Sequence, residues 1–287
     1  MVDPGLLVVN SLTLGALYAL IAIGFTMIFG VADILNIAHG AAIIIGGFSA
    51  YYVYSSLGLS IWVGVLAAVV LPALFSVAVY KLLVKRVEDD EIFVVIVTLV
   101  VLLIVEYFFR FIEGTTSRSL PLLLPGQTTI GSVSVQNNSI LLFVISWIAI
   151  IALFLLINRT WIGRGIEGLS MTERGASLVG IDHERTTIYT YAIAGALAGL
   201  GGLFFGITQG VQYDMGLDPL LTAFAIVILG GMGSIKGSVI GAYIIGTLET
   251  VTITMISPRM TGMTALIVLF LILIVRPNGL LGRPGEE

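Results

Sequence analysis

Long uncharged apolar runs restrict this 287-residue chain more than any other feature. The first Lys or Arg is Lys81, and residues 5–30 contain no charged side chain. That run exceeds the about 20 apolar residues that span the hydrocarbon core of a bilayer. It also lacks the positive flank of a signal peptide, so we interpret it as a retained first span. Because only 10% of the residues are charged, against about 25% in soluble domains, the sequence predicts an all-α, polytopic transmembrane helical bundle.

Uncharged runs separated by charges or turn residues predict eight long spans and one short or broken membrane helix, within a single domain over 1–287. The short run is 219–232, which is about 21 Å long as a helix. It is either a short tilted crossing or a broken helix buried among the others. The long spans are expected at about 6–30, 40–57, 61–80, 92–112, 140–157, 188–209, 237–256 and 262–275.

Two polar segments connect these spans. Residues 113–139 contain Gly, Pro, Ser and Asn with short β-like runs, whereas residues 158–187 are rich in charge. With the N-terminus outside and each segment crossing once, ten Lys and Arg residues lie inside and three outside. Since cations accumulate on the cytoplasmic side, we predict an extracytoplasmic N-terminus and 113–139 loop, and a cytoplasmic C-terminus and 158–187 loop.

Enzymatic and metal-binding motifs are missing from the sequence. It has no cysteine, and His39 and His183 are its only histidines, so we predict no metal site and no catalytic set. Residues 230–237 have the wrong spacing for a phosphate-binding loop. We therefore predict a protein that is not an enzyme and holds no cofactor, with any ATP bound by another chain.

A few polar residues lie in or beside the apolar runs, where an ionisable group is a functional candidate. Glu106 has Arg110 one helical turn away, which favours a structural ion pair. Glu249 has no partner nearby in sequence and is a candidate for the translocation path or gate. Asn36 and His39 are expected at the inner membrane interface, where His39 is either a pH-sensitive group or a turn-fixing hydrogen bonder.

Small residues recur in the sixth span, at i and i+4 over 194–206. Such a pattern allows close helix packing in lipid, and a moving transport interface is the alternative. Residues 24–30 and 202–210 are faintly similar to each other, as in transporters built from inverted repeats. That similarity alone is too weak to establish a repeat.

The 158–187 segment has apolar residues at roughly helical spacing between its charges. Gly180 stands where a helix would end, which predicts a short amphipathic helix. Positive and negative charges are nearly balanced in this segment, so it has no basic face for a membrane surface. We therefore expect it to dock into a partner protein.

Four stretches resemble the LivH-type permeases of branched-chain amino-acid ABC importers. They are TLGALYALIAIG at 13–24, NIAHG at 36–40, LGGMGS at 229–234 followed by Gly241, and RPNGLLGRP at 276–284. Residues 163–181 are similar to that family's coupling segment, although Glu167-Gly168 and Glu173-Arg174 depart from its usual pattern. These departures leave the charge pattern of the docking partner open.

This resemblance implies a multi-pass subunit of a prokaryotic inner membrane that works by alternating access. The implied partners are a second, LivM-type permease, two ATP-binding subunits that use ATP and Mg²⁺, and an extracytoplasmic substrate-binding protein. The same family contains urea and short-amide permeases, and a self-sufficient secondary transporter is the more distant alternative. The implied coupling residues are Gly165, Ile166, Glu167, Leu169, Glu173, Arg174, Ala176, Leu178, Gly180 and Ile181. The candidates for translocation or gating are Asn36, His39, Gly230, Gly231, Gly233 and Glu249.

Overall fold

The computed structural model describes residues 3–32, 34–131, 133–276 and 279–281, without the side chains of Ile130 and Glu173. Eleven α-helices and one antiparallel hairpin form within this part of the chain. The hairpin, β1 (Gln127–Ile130) and β2 (Val133–Gln136), confirms the short β-like runs of the 113–139 segment. The helices are α1 (Pro4–Ala32), α2 (Ala38–Ser55), α3 (Ile61–Leu82), α4 (Glu91–Glu113), α5 (Asn137–Arg159), α6 (Trp161–Met171), α7 (Glu173–Leu178), α8 (His183–Gln209), α9 (Leu217–Gly230), α10 (Ile235–Met255) and α11 (Met263–Val275).

Six helices are long and apolar enough to cross a membrane: α1, α3, α4, α5, α8 and α10. The helical membrane bundle is confirmed, but the predicted eight long spans are not supported. Helix α2 has 18 residues and carries His39 among several Gly, Ser and Tyr residues, while α11 has only 13 residues. An uncharged run also marks burial inside the protein, so counting such runs overestimated the number of long spans.

Local signals fix where the helices begin and end. The Asp90 side chain accepts hydrogen bonds from the first-turn N–H groups of α4, and Ser234 accepts one at the start of α10. Asp182 likewise accepts the Arg185 N–H at the start of α8. Such caps satisfy N–H groups that have no partner within the helix. Gly114 and Gly210 follow α4 and α8 with positive φ, the usual helix-ending geometry.

Helices α1 and α8 form the centre of the bundle and run antiparallel. Ile21 of α1 packs against Gly201 of α8, and Gly24 packs against Ala194. Helix α10 is also antiparallel to α1, and the Thr26 and Ser238 hydroxyl oxygens of these two helices are 2.6 Å apart. Most of the side chains in the last two-thirds of α1 are buried, so α1 is a core helix.

The chain before and after α5 repeats one arrangement. A long helix (α1 or α8) is followed by a connector, a short helix (α2 or α9) and two further helices. Helix α1 packs on α10 as α8 packs on α3. Because α1 and α8 are antiparallel, the two units have inverted topologies, a common construction of transporters. The faintly similar 24–30 and 202–210 lie at the corresponding ends of α1 and α8.

Candidate functional site

Helix α2 begins deep inside the bundle. The His39 Nε2 atom lies 3.1 Å from the Ile21 carbonyl oxygen, in the middle part of α1. A Cβ on Gly40 would lie 3.3 Å from Leu102 Cδ1, and Leu102 is eleven residues from each end of α4. The first turn of α2 is therefore half-way through the thickness of the bundle.

Helix α9 begins at the same depth. The chain leaves the end of α8 and pairs with the 113–139 segment through two hydrogen bonds between Arg118 and Val211, of 2.9 and 2.7 Å. It then turns back into the bundle, where Gly216 packs against Gly40 and Ile44 of α2. The other end of α9 is near the C-terminal end of α1, where Gly233 faces Gly30. This geometry favours the broken helix over the tilted crossing for 219–232.

Polar side chains satisfy the backbone where α2 starts. Asn36 Oδ1 accepts the Ala38 N–H (3.1 Å) and Thr98 Oγ1 accepts the Ile37 N–H (3.2 Å). Irregular backbone at membrane depth needs such partners, because lipid offers none. Asn36 therefore caps the broken helix, while Asp33, in the same turn, lies outside the described residues.

His39 is fully enclosed, with 1% of its surface exposed. Because a carbonyl oxygen only accepts, the Nε2–H group of His39 donates to Ile21. The Nδ1 atom has no hydrogen-bond partner within the described part of the chain. Asn36 is also buried, so the predicted position of both residues at the inner membrane interface is wrong. The connector before α2 folds back towards the centre, which the sequence spacing did not indicate.

Glu249 is completely buried in α10. Its Oε1 atom accepts the N–H of Gly262, 2.8 Å away, at the start of α11. Its Oε2 atom has no hydrogen-bond partner among the described residues. The expected pair between Glu106 and Arg110 is not among the ion pairs of the described residues. The Arg110 guanidinium instead lies 5.4 Å from the centroid of the Tyr213 ring. Among the described residues, Glu249 is the carboxyl group that the fold encloses most completely.

Asp218 is a polar residue that sequence reasoning missed. It lies in the first turn of α9 and is exposed in the single chain, although neighbouring Gly216 and Leu220 pack against Gly40 at mid-depth. The dipole of α9 favours a carboxylate there by about 0.3–1 kcal/mol. Placing Asp at the bilayer centre costs about 2.5–3.5 kcal/mol, so Asp218 must face water, protein or a cation. In the sequence, Asp218 lies between a glycine-containing connector and a short apolar run, and this position could have identified it as a candidate.

The C-terminal end of α9 is built from glycines. Gly231 ends the helix with φ of 103°, and Gly230 packs directly against Gly237 of α10. The N–H groups of Leu280 and Leu281 donate to the carbonyl oxygens of Leu229 (2.8 Å) and Gly230 (2.9 Å). The described part of the 276–284 motif thus caps α9, while Pro277, Asn278 and residues 282–284 lie outside the described residues.

The predicted coupling segment forms two short helices, α6 and α7, separated at Thr172. Ile166, Leu169 and Ala176 are buried, whereas Leu178 is 88% exposed. The single amphipathic helix is therefore wrong, because the chain turns between its two halves. The predicted helix end at Gly180 is confirmed, since its φ is 81°.

The other coupling residues lie around these two helices. Glu167 and Arg174 are exposed, while Gly165 is buried against Thr186 of α8. Ile181 is partly buried, and its side chain contacts Gly168. Glu173 is the first residue of α7, and its side chain lies outside the described residues.

A cavity of about 730 Å³ separates α6 from the C-terminal ends of α1 and α5 and from the turn between α9 and α10. Glu167, Thr172, Lys236 and Leu281 contribute to its wall, together with apolar side chains of α1 and α5. The cavity places the 158–187 segment beside the turn between α9 and α10.

The sequence model of the branched-chain amino acid transport system permease component matches residues 7–275. The chain belongs to this family. It is 29% identical to the high-affinity branched-chain amino acid transport system permease protein LivH of Escherichia coli K12, over 97% of this chain and 95% of that protein. It is 27% identical to the corresponding permease protein BraD of Pseudomonas aeruginosa, over 97% and 96% of the two chains. No solved structure matches the chain.

A probable archaeal LivH, from Methanocaldococcus jannaschii, is 27% identical over 93% of this chain and 89% of that protein. The similarity therefore extends along nearly the whole length of these permeases, including both inverted units. The family assignment confirms the resemblance found in the four sequence motifs.

Proposed function

We propose that this chain is the membrane-spanning permease subunit of an ABC importer for branched-chain amino acids. The observation that carries the proposal is the family match over 7–275, together with full-length relatives named for branched-chain amino acid transport. Those names favour branched-chain amino acids over urea or short amides. The two short helices that begin at mid-depth support a role in moving a solute, because transporters form substrate sites at such interruptions.

The partners follow from the same reasoning. The permease works with a second, LivM-type permease, two ATP-binding subunits that use ATP and Mg²⁺, and an extracytoplasmic binding protein. The chain itself has no catalytic role and holds no cofactor. ATP hydrolysis in the partner subunits drives alternating access.

The chain is a single permease domain of a prokaryotic inner membrane, with its N-terminus outside and its C-terminus in the cytoplasm. The 113–139 loop then faces the binding protein and the 158–187 loop faces the ATP-binding subunits. Ten inside cations against three outside support this orientation. In it, α2, α9 and α11 complete the bundle beside the six long spans, with α2 and α9 as helices that begin at mid-depth and α11 as a short crossing.

The docking surface for the ATP-binding subunits comprises the exposed side chains of α6, α7 and the turn that follows. Trp161, Met171, Leu178 and Val179 expose apolar surface there, beside the charges of Arg164, Glu167 and Arg174. Exposed apolar residues of this kind mark protein interfaces. Movement of this surface would reach the turn between α9 and α10 across the cavity. The candidates for translocation or gating are Asn36, His39, Gly230, Gly231, Gly233 and Glu249.

The test is reconstitution of the chain with its associated subunits in liposomes. We expect the ATPase activity to rise when a binding protein loaded with leucine, isoleucine or valine is added, and ATP-dependent uptake to accompany it. The same binding protein without amino acid is the control. ATPase activity that ignores the loaded protein would contradict the substrate assignment, and uptake by this chain alone without ATP would contradict its role as a subunit.

A further inference from the structure

The half of α4 that the proposed orientation places outside runs beside the connector that leads into α9. At mid-depth, a Cβ on Gly40 would lie 3.3 Å from side-chain atoms of both Leu102 and Leu220, so α4 and α9 meet there on α2. Farther along α4, the Arg110 guanidinium lies 5.4 Å from the centroid of the Tyr213 ring of the connector. The connector therefore follows α4 from the centre of the bundle towards the end of that helix.

Charged side chains follow this contact between α4 and the connector. Glu106 and Arg110 are four residues apart and lie on one side of α4, with Glu106 about 10 Å from the end of the helix. Asp214 of the connector and Asp218 of α9 are exposed in the single chain, as is Arg110. These charges extend from near the end of α4 to mid-depth. We call this surface the outer seam; it comprises Glu106, Arg110, Asp214, Leu217, Asp218 and Leu221.

The exposed sides of two other long spans have a different character. All exposed side chains of α3 over 62–78 are aliphatic or aromatic, and so are those of α5 over 144–155. Such sides suit lipid, whereas charged side chains within the membrane face water or other protein groups. Among the described residues, no member of the outer seam takes part in an ion pair. The outer seam therefore faces something other than lipid.

We propose that the outer seam lines the outer half of the path that the transported amino acid follows. Water in that path hydrates the exposed charges of the seam. A free amino acid carries one positive and one negative group, and the seam offers charges of both signs along its length. Leu217 and Leu221, 42% and 38% exposed, add apolar surface for an aliphatic side chain. The inference rests on the proposed function, to which it adds the location of the path.

The first test uses the absence of cysteine from the chain. Leu217→Cys and Leu221→Cys variants of the assembled complex, in nanodiscs, are treated with a charged methanethiosulfonate reagent, and modification of this chain is followed by mass spectrometry. The reagent attacks the thiolate, which forms where water reaches the side chain. We expect both cysteines to react, at rates that differ at least threefold between the nucleotide-free and the vanadate-trapped complex. Leu74→Cys, 61% exposed near the middle of α3, is the matched control and should stay unmodified.

Three results of this test would overturn the path. Unreactive cysteines at both seam positions would show that the second permease or lipid covers the seam. Equal rates in the two states would show a static crevice, and a Leu74→Cys that reacts as fast would show that the seam is no wetter than the lipid-facing side of α3. If the wild-type complex itself transported no branched-chain amino acid, the proposed function would fail, whereas the labelling rates would still report whether the seam lines a path.

The second test changes the charge near the outer end of the seam. In the reconstituted complex, we expect Arg110→Gln to lower ATP-driven leucine uptake at least fivefold, and Arg110→Lys, which keeps a cation beside the Tyr213 ring, to stay within twofold of wild type. Arg259→Gln, at an exposed position in the turn between α10 and α11, is the matched control and should change uptake less than twofold. Wild-type uptake by Arg110→Gln would overturn the role of Arg110 in the path. Loss of the second permease from the purified Arg110→Gln complex would show that Arg110 pairs with that subunit, and would overturn it too.

Discussion

At the residue scale, the glycines of α8 decide how closely the central helices approach. Gly195 packs against Ser76 and Pro72 of α3, and Gly199 packs against the Ala68 carbonyl group. Gly202 packs against the Ile43 backbone of α2. Small faces of this kind allow backbone contact between helices in lipid, where packing rather than water exclusion drives association. The recurrence of small residues over 194–206 thus correctly predicted that α8 packs closely against its neighbours.

Gly202→Ala should destabilise the bundle, because the added methyl group would overlap the Ile43 backbone. Overpacking of this kind costs about 1–3 kcal/mol, so we expect a lower Tm for the detergent-solubilised protein. Gly168→Ala is the matched control, since its methyl group would meet only the end of the Ile181 side chain, 2.8 Å away. Equal Tm values for the two variants would contradict the packing argument.

At the element scale, the short helix α9 is held at both ends by distant parts of the chain. Its start packs against α2, and its C-terminal end is capped by residues 279–281 that follow α11. Carbonyl groups at a helix end have no partner within the helix. The two backbone hydrogen bonds from Leu280 and Leu281 supply partners for the last turn of α9.

Gly279→Ala should loosen this cap. Gly279 has φ of 71°, and a Cβ there would lie 2.5 Å from both Gly231 N and Ile228 O. We expect the amides of Leu280 and Leu281 to lose protection from hydrogen exchange, measured by mass spectrometry. Gly58→Ala is the control, because Gly58 has a similar φ of 65° but no atom within 4 Å of its Cβ position. Unchanged protection in the Gly279 variant would mean that the segment is held by other contacts.

The exposed surface of α6 and α7 provides a second prediction at this scale. Leu178→Glu should reduce co-purification of the ATP-binding subunits and abolish uptake, because it places a charge on an apolar docking surface. Insertion into the membrane should be unaffected, since Leu178 is 88% exposed. Leu57→Glu, at a 66% exposed position in the turn between α2 and α3, is the control. Normal uptake by the Leu178 variant would exclude this surface as the docking site.

At the scale of the whole molecule, the inverted relation of the two units fixes which ends of the helices share a side. The α2–α3 turn and the N-terminus lie on one side, and the α3–α4 turn and the 158–187 segment lie on the other. The distribution of Lys and Arg then predicts which side is cytoplasmic.

Single-cysteine labelling in intact cells tests the orientation, because the chain has no cysteine of its own. Leu59→Cys should react with a membrane-impermeant thiol reagent, and Asp89→Cys should react only after the cells are permeabilised. Both positions are exposed turn residues, so the pair is matched in accessibility. The reverse pattern would place the N-terminus in the cytoplasm.

The sequence by itself determined the class of protein, the position of most helices and the family. Predicted spans 61–80 and 92–112 agree closely with α3 and α4 because hydropathy and capping residues act locally. The glycine that follows α7, Gly180, was also predictable, since a positive φ favours glycine.

Only the tertiary structure decided the depth of the functional candidates. The connectors before α2 and α9 fold back into the bundle, and the meeting of Gly40 with Gly216 joins residues 176 positions apart. Such a contact leaves no periodic signal in either segment. Asn36 and His39 were therefore assigned to the inner interface and Asp218 was overlooked, although all three lie near the centre. Hydropathy reports whether a segment is buried, whereas long-range packing decides where along the membrane normal it begins.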